Sequence, residues 1–194
     1  MLSMARNKEF DPAEKLEKAR ALFWEKGYHA TSMQELVSQM KVNRGSMYTT
    51  YGDKHQLFVE SLQNYALETY SEYKKVAVGE NSPLKCIELI VKKAIARSFE
   101  ENKVCMIVKS SFEMAPHDDV VKVLLKKLSN SLIIIFQEFI EKAQQAGEIS
   151  ADKDARQLAQ FIVGNFAGLW QMQSLYNDKK MVEQMAENML AILR

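Results

Sequence analysis

The stretch GYHATSMQELVSQMKVNRGSMYTTYGDKHQLF, residues 27–58, decides the fold of this chain. Two capping boxes overlap near its start, and one of them pairs Thr31 with Gln34. The other pairs Ser32 with Glu35. Apolar residues then recur at intervals of three and four, which is the spacing of one helix face. The pattern predicts a short helix.

A second short helix follows after a brief turn. Residues 41–43 have turn character, and Asn43 can cap the next helix. Gly52-Asp53 stops that helix, so we predict it over residues 44–51. When two helices are joined in this way, the second can lie in the major groove of DNA, which is wide enough for one helix. Short helical hairpins are common and most bind nothing, so the pattern alone leaves function open.

Helix signals continue on both sides of this stretch. Asp11-Pro12-Ala13-Glu14 offers an N-cap and a proline in the first turn, so a first helix is predicted over 11–26. The later predicted helices are longer and cover residues 54–78, 83–101, 104–115, 118–146, 152–177 and 179–193. We therefore predict an all-α fold of about nine helices, with an N-terminal three-helix domain at 1–54 and a larger helical domain at 55–194.

The composition limits the class of protein. The chain has 194 residues, of which 47% are hydrophobic and 26% are charged, as is typical of a globular protein. Its apolar runs are far shorter than the ~20 residues that span a bilayer. Two cysteines resemble no disulfide framework, and the start resembles no signal peptide. We expect a cytoplasmic protein without membrane contact.

Charge is distributed unevenly around the second short helix. The net charge of the whole chain is +1, which favours no partner. Residues 1–54 hold nine Lys and Arg against seven Asp and Glu. Segment 41–54 holds three cations and one carboxylate, so positive potential is expected there. Arg6 and Lys8 either form a basic arm that reaches a minor groove or belong to an ordinary terminus.

Several motifs occur together in one order and spacing. They are Gly-x-x-x-Thr-Ser at residues 27–32, Val-Asn-Arg-Gly-Ser-Met-Tyr at 42–48, the aromatic Tyr51, and Lys54 followed by Leu57-Phe58. On these motifs the chain resembles, over residues 11–60, the DNA-binding domain of the TetR family. This family contains the one-component bacterial regulators named for the tetracycline repressor.

Two positions depart from the pattern of that family. Lys41 stands where most members have glycine, and Asn43 where many have serine. Asn43 can still cap a helix. A left-handed conformation at Lys41 would cost roughly 1–2 kcal/mol.

The resemblance implies a DNA-binding regulator and not an enzyme. Arg44 would read guanine from the first turn of the recognition helix, Gly45 would let the backbone approach the bases, and Tyr48 would add an aromatic contact. Phosphate contacts are implied for the Lys54 ammonium and for the hydroxyls of Thr31, Ser32, Ser46, Thr49 and Thr50. Asn43 would cap the recognition helix. The alternatives are a solvated charge at Arg44 and plain caps at Thr31 and Ser32. The expected core residues of this segment are Met33, Leu36, Val37, Met40, Val42, Met47 and Tyr51.

The resemblance also implies a homodimer formed by the last two helices. Gly164 and Gly168 lie four residues apart in helix eight, which lets another helix approach closely. Helix nine carries apolar residues on one face, namely Met181, Val182, Met185, Met189, Ile192 and Leu193. The alternative for this face is packing within the chain.

A ligand cavity in the larger domain is implied in the same way. The expected lining suits a small apolar or aromatic effector and consists of Tyr65, Tyr70, Phe99, Met106, Phe112, Glu113, Met114, Phe166, Trp170 and Met172. Each of these residues could instead be plain core. Cys86 and Cys105 are either redox sensors or inert buried thiols. No cofactor is expected.

These observations predict a dimeric repressor that binds a palindromic operator and is released by a small-molecule effector. The alternatives are an activator of the same fold and an all-α interaction module without DNA contact. Catalysis has no support, because His29, His55 and His117 are far apart and lack metal-site spacing. The chain also lacks a phosphate loop and a nucleophile elbow.

Overall fold

A computed structural model describes residues 10–76 and 78–194. The described residues form nine α-helices and no strand, which confirms the predicted all-α fold. The helices are α1 (Pro12–Lys26), α2 (Met33–Met40), α3 (Arg44–Tyr51), α4 (Lys54–Val76), α5 (Pro83–Glu100), α6 (Met106–Glu113), α7 (Asp119–Gln145), α8 (Ala155–Tyr176) and α9 (Lys179–Leu190). A short 3-10 turn, Ala191–Leu193, follows α9. Arg6 and Lys8 lie outside the described residues.

Local capping explains why most helix ends match their predicted positions. The Asp11 side chain accepts a hydrogen bond from the Ala13 amide at 2.9 Å, and Gly27, with φ 88°, ends α1. Side-chain caps of the same kind begin α5, α7, α8 and α9, at Ser82, Asp118, Asp154 and Asp178. A cap satisfies amides that the first helical turn leaves without partners.

Several predicted helix ends differ from the structure by up to three residues; α9, for example, ends at Leu190 rather than 193. Helix α6 begins at Met106 rather than 104, after Cys105, whose side chain makes no capping bond. Helix α8 begins at Ala155 rather than 152, because the Asp154 carboxylate accepts from the Gln157 amide at 2.9 Å. Helix α4 ends at Val76 rather than at 78.

The chain divides into two compact units, Met1–Tyr65 and Ala66–Arg194. The boundary between the units lies inside α4, after the predicted division at residue 54. The division of the chain into a DNA-binding domain at 1–54 and a larger domain at 55–194 stays a prediction. In the first unit the core includes buried side chains from α1, α2, α3 and α4, among them Ala19, Phe23, Leu36, Met40, Met47, Leu57, Phe58 and Leu62.

The second unit has its own core, built from α5, α7, α8 and α9. Phe166 stacks on Trp170 with 4.7 Å between ring centroids and also faces Phe136. Helix α9 contributes buried side chains, including Val182 and Met189, and the 3-10 turn after it contributes Leu193. Within the described residues, no helix is long and apolar enough to cross a membrane.

Those α9 contacts correct one expectation. Val182, Met189 and Leu193 are at most 6% exposed and pack within their own chain, so they cannot form a dimer surface. Met181 and Met185 are half-buried and Ile192 is exposed. The predicted apolar face of helix nine is therefore mostly an internal packing face.

Candidate nucleic-acid interface

The turn between α2 and α3 is short and well capped. Lys41 ends α2 in the left-handed conformation, with φ 52° and ψ 50°. The side-chain oxygen of Asn43 then accepts a hydrogen bond from the Ser46 amide at 2.7 Å. The departure at Lys41 thus leaves the turn intact at a cost of roughly 1–2 kcal/mol, and the predicted cap at Asn43 is present.

Helix α3 has one inner and one outer face. Met47 and Tyr51 are buried, whereas Arg44 and Gly45 are exposed and Tyr48 is 44% exposed. The guanidinium carbon of Arg44 lies 5.9 Å from the centre of the Tyr48 ring. A cation and an aromatic ring one turn apart therefore share the outer face of the helix.

The end of α3 is bound to the start of α1. The Tyr51 hydroxyl donates a hydrogen bond to the backbone oxygen of Pro12 at 2.7 Å. Burial, together with the negative charges of Glu60 and Asp11, raises the pKa of Tyr51 to about 12. Tyr51 was expected in the core, but its polar contact depends on residues far apart in the sequence.

One predicted capping box at the start of α2 is present. The Ser32 hydroxyl oxygen accepts from the Glu35 amide at 3.2 Å, and the Glu35 carboxylate accepts from the Ser32 amide at 2.8 Å. Hydrogen bonds from the Lys26 ammonium and from Ser32 lower the pKa of Glu35 to about 2. Ser32 is exposed at the helix start, where amides can also face an anion.

The second predicted box, Thr31 with Gln34, is wrong. The Thr31 hydroxyl donates to the backbone oxygen of Gly27 at 2.6 Å, and the residue is 1% exposed. Its proton is committed to the chain and its oxygen is buried, which argues against a phosphate contact by Thr31. The sequence pattern could not separate Thr31 from Ser32, because both are good cap residues.

Lys54 begins α4 beside an aromatic ring. Its ammonium lies 4.3 Å from the centre of the Tyr28 ring, within range of a cation–π interaction. The Asp53 carboxylate caps the same helix by accepting from the Gln56 amide at 2.8 Å. Tyr28 was not among the predicted site residues, although it lies in the Gly-x-x-x-Thr-Ser motif.

The other predicted DNA-binding residues lie along α3. Thr49 is exposed, and its hydroxyl donates to the backbone oxygen of Gly45 at 2.9 Å. Ser46 and Thr50 are half-buried. The segment from Asn43 to Thr50 is therefore one cap and one helix with a continuous polar side, which is the geometry that a major groove accepts. The individual DNA contacts stay predictions.

The predicted effector residues do not converge on one groove. Tyr65 packs against Trp24 in the first unit, with 5.0 Å between ring centroids. In the second unit, Met106, Met114, Phe166 and Trp170 are buried. Phe99, Glu113 and Met172 are half-buried. The predicted lining as a set stays a prediction.

Two surface grooves contain the remaining predicted residues. A groove of about 620 Å³ between α4 and α7 includes Tyr70, whose hydroxyl donates to the Leu128 backbone oxygen at 2.8 Å. A groove of about 600 Å³ between α6 and α8 includes Phe112 and Trp170. Phe112 is 75% exposed, so it is not core.

One face of α8 is open in the single chain. A Cβ added at Gly164 or Gly168 would meet no heavy atom within 4 Å. Phe161 and Leu175, which share this face, are 42% and 66% exposed. Small and apolar residues one turn apart leave room for a second helix.

The thiols and histidines form no further site among the described residues. Cys86 is buried and Cys105 is half-buried, and no disulfide joins them. Burial raises the pKa of Cys86, which lowers its reactivity. The described part of the chain contains no group of three or more His, Cys, Asp or Glu side chains arranged to hold a metal ion.

Two family models match the chain. The model described as "Bacterial regulatory proteins, tetR family" matches residues 16–60. The model described as "Tetracyclin repressor-like, C-terminal domain" matches residues 83–189. The two segments together cover more than half of the sequence.

Known proteins give the same indication. YezE of Bacillus subtilis, an uncharacterized HTH-type transcriptional regulator, is 35% identical over 167 residues, which are 82% of this chain and 84% of that protein. ComR of Escherichia coli, an HTH-type transcriptional repressor, is 27% identical over 170 residues, 82% of this chain and 78% of that protein. A cysteine mutant of the regulator CifR, solved with 26-base-pair operator DNA, shares the fold, with a TM-score of 0.87 at 24% identity over 97% of this chain and 100% of that chain.

Proposed function

The chain belongs to the TetR family of bacterial regulatory proteins, which are helix-turn-helix transcriptional regulators and not enzymes, and from that premise we propose that it is a repressor. It binds a palindromic operator as a homodimer, and a small-molecule effector releases it. A repressor among its relatives supports repression over activation. A role on DNA would place the protein in the cytoplasm.

The observation that carries this proposal is the outer face of α3. Arg44, Gly45 and Tyr48 are exposed on a helix that Asn43 caps and that Met47 holds to the core. A guanidinium at a helix start can make two parallel hydrogen bonds to guanine. The absence of a Cβ at Gly45 allows the backbone to approach the base edges.

Phosphate contacts would fix this helix in the groove. The Lys54 ammonium and the Ser32 cap lie at the starts of α4 and α2, where the helix dipole favours an anion. The Ser32 hydroxyl donates to the Glu35 carboxylate at 2.8 Å on the exposed surface, so a phosphate would have to replace Glu35 as its acceptor. Tyr28 would hold Lys54 in position through its ring. Such contacts give affinity without base preference, and Arg44 would supply the preference.

The short length of the proposed recognition helix α3 favours a dimer. One helix of eight residues contacts few base pairs, so helix-turn-helix proteins usually bind two half-sites about one helical turn apart or a multiple of it. The open face of α8 at Gly164 and Gly168 is the surface that best fits a second copy. We propose a homodimer through α8, with the outer residues of α9, such as Met185, at its margin.

A binding-site selection from random duplexes tests the function directly. The expected product is a palindrome with a constant half-site spacing. Affinity for it, measured by fluorescence anisotropy at rising salt, should fall with a log–log slope of about −0.9 per phosphate neutralised. An interaction module without DNA contact would enrich no sequence and show no salt-dependent binding. Deletion of the gene distinguishes a repressor, whose target expression rises, from an activator, whose target expression falls.

A further inference from the structure

The groove between α4 and α7 is lined by the second half of α4 and by the turn that follows this helix. Its α4 wall carries Leu67, Tyr70 and Lys74, which are spaced by three and four residues and so share one helix face, and Val78 lines the groove from the turn after α4. At 1.5 Å per residue, the helical part of this wall, from Leu67 to Lys74, is about 10 Å long. The second wall is α7, and all lining residues belong to the unit Ala66–Arg194.

The walls of the groove expose large apolar side chains. Leu67 is 71% exposed, Val78 is 83% exposed, and Ile134 on α7 is 47% exposed. Single exposed apolar residues are ordinary, but several along one groove form a patch that indicates a binding surface. A ligand that covers the patch would be stabilised by removal of its apolar area from water.

Two ammonium groups border the same patch. Lys74 and Lys75 line the groove together with one carboxylate, Glu138. Among residues 10–76 and 78–194, none of these three side chains has an oppositely charged group within 4.0 Å. The Tyr70 hydroxyl already donates to the Leu128 backbone oxygen. The strongest donors left in the groove are therefore the two lysines.

We propose that this groove binds an organic carboxylate that carries an extended apolar tail. The tail would lie along Leu67, Val78 and Ile134, and the carboxylate would accept hydrogen bonds from Lys74 and Lys75. An apolar cation would meet two like charges, and a short carboxylate would leave the apolar walls uncovered. The charge and the apolar length together select the ligand class.

This inference rests on the proposed function, for which it names the class of effector. The ligand would contact α4, the helix that begins at Lys54. A ligand with different affinity for two positions of α4 would shift the population between them. Occupancy of the groove would then change operator affinity.

Isothermal titration calorimetry of the full chain tests the site. Decanoate, kept below its micelle-forming concentration, is expected to bind, whereas decyltrimethylammonium and acetate are not. The double variant Lys74→Gln/Lys75→Gln should weaken decanoate binding by about tenfold or more. The charge-matched control Lys126→Gln/Lys127→Gln, on exposed α7 residues outside the groove, should bind as the wild type does.

A second variant fills the groove without removing charge. Ser71 is an exposed lining residue of α4, so Ser71→Trp should abolish decanoate binding and leave the circular dichroism spectrum unchanged. Equal decanoate affinity in the wild type, the double glutamine variant and Ser71→Trp would overturn the proposed site. Equal binding of decanoate and decyltrimethylammonium would overturn the assigned ligand charge.

Operator binding, measured in parallel, separates this inference from the proposed function. Decanoate should weaken operator binding by the wild type and should leave operator binding by the Ser71→Trp variant unchanged. If the protein binds the operator but not decanoate, the proposed ligand site is refuted and the proposed regulatory function stands. If the protein binds decanoate but no DNA, the proposed ligand site stands and the proposed regulatory function is refuted. Decanoate binding that leaves operator affinity unchanged refutes the effector role.

Discussion

The hydroxyl of Tyr51, the last residue of α3, donates a hydrogen bond at 2.7 Å to the backbone oxygen of Pro12, the first residue of α1. Tyr51 is 4% exposed, so water competes little for this bond. The two residues are 39 positions apart, and their contact holds the C-terminal end of the proposed recognition helix.

Removal of that hydroxyl should destabilise the protein. Tyr51→Phe keeps the ring but removes the hydrogen bond to the Pro12 oxygen, so the free energy of unfolding should fall by about 1–2 kcal/mol. Urea denaturation at constant protein concentration measures the change. The control Tyr48→Phe removes a hydroxyl from the outer face of the same helix and should have little effect. Equal stability of all three proteins would contradict the assigned role of the bond.

The same residue should make stability depend on alkaline pH. Burial raises the pKa of Tyr51 to about 12 in the folded protein, whereas an unfolded tyrosine titrates near ~10. The folded state therefore retains a proton that the unfolded state loses, and the contribution to stability declines as the pH rises from about 10 towards 12. Over this range the free energy of unfolding should fall more steeply for the wild type than for Tyr51→Phe. Parallel curves in urea denaturation would refute this assignment.

The left-handed residue after α2 offers a stabilising substitution. Lys41 has φ 52°, a conformation that glycine adopts without the steric cost of a Cβ. Lys41→Gly should therefore raise the free energy of unfolding by about 1 kcal/mol, as measured by urea denaturation. The control is Asn177→Gly, at φ 49°, where asparagine already tolerates this conformation and a smaller gain is expected. A loss of stability in Lys41→Gly would show that the lysine side chain compensates for its strain.

Arg44 and Lys54 should affect DNA binding differently. Arg44→Ala should cost ~1–3 kcal/mol on the selected operator and relax the base preference. Lys54→Ala should weaken binding to all duplexes similarly and reduce the salt slope by about 1. Fluorescence anisotropy with operator and random duplexes measures both effects. Equal losses for Arg44→Ala on the two duplexes would remove its proposed role in base reading.

A bulky residue on the open face of α8 should break the proposed dimer. A Cβ at Gly168 would meet no heavy atom within 4 Å, so the Gly168→Leu subunit should fold, but a second helix could not approach. Sedimentation velocity should show a monomer, and operator affinity should fall. The control is Asn130→Leu, which adds a leucine at an exposed position of α7 and should leave the dimer intact. A dimeric Gly168→Leu would locate the interface elsewhere.

Most helix boundaries and the capped turn before α3 were predictable from the sequence, because they depend on residues two to four positions apart. The Asn43 side chain meets the Ser46 amide, and the Asp11 side chain meets the Ala13 amide, whatever the rest of the chain does. The exposed face of α3 followed from the spacing of Met47 and Tyr51. A resemblance over residues 11–60 then identified the family.

Only the tertiary structure decided which surface covers each apolar or polar side chain. Periodicity placed Val182 and Met189 on one helix face. The hydrophobic effect does not specify which surface covers an apolar face, so the pattern fits an internal core and a dimer surface equally well. In the structure both side chains are buried within their own chain. Thr31 and Ser32 are similar cap residues in sequence, yet the fold buries the hydroxyl of the first and exposes the second. The groove beside Lys74 likewise requires two helices far apart in the chain, because neither wall encloses it alone.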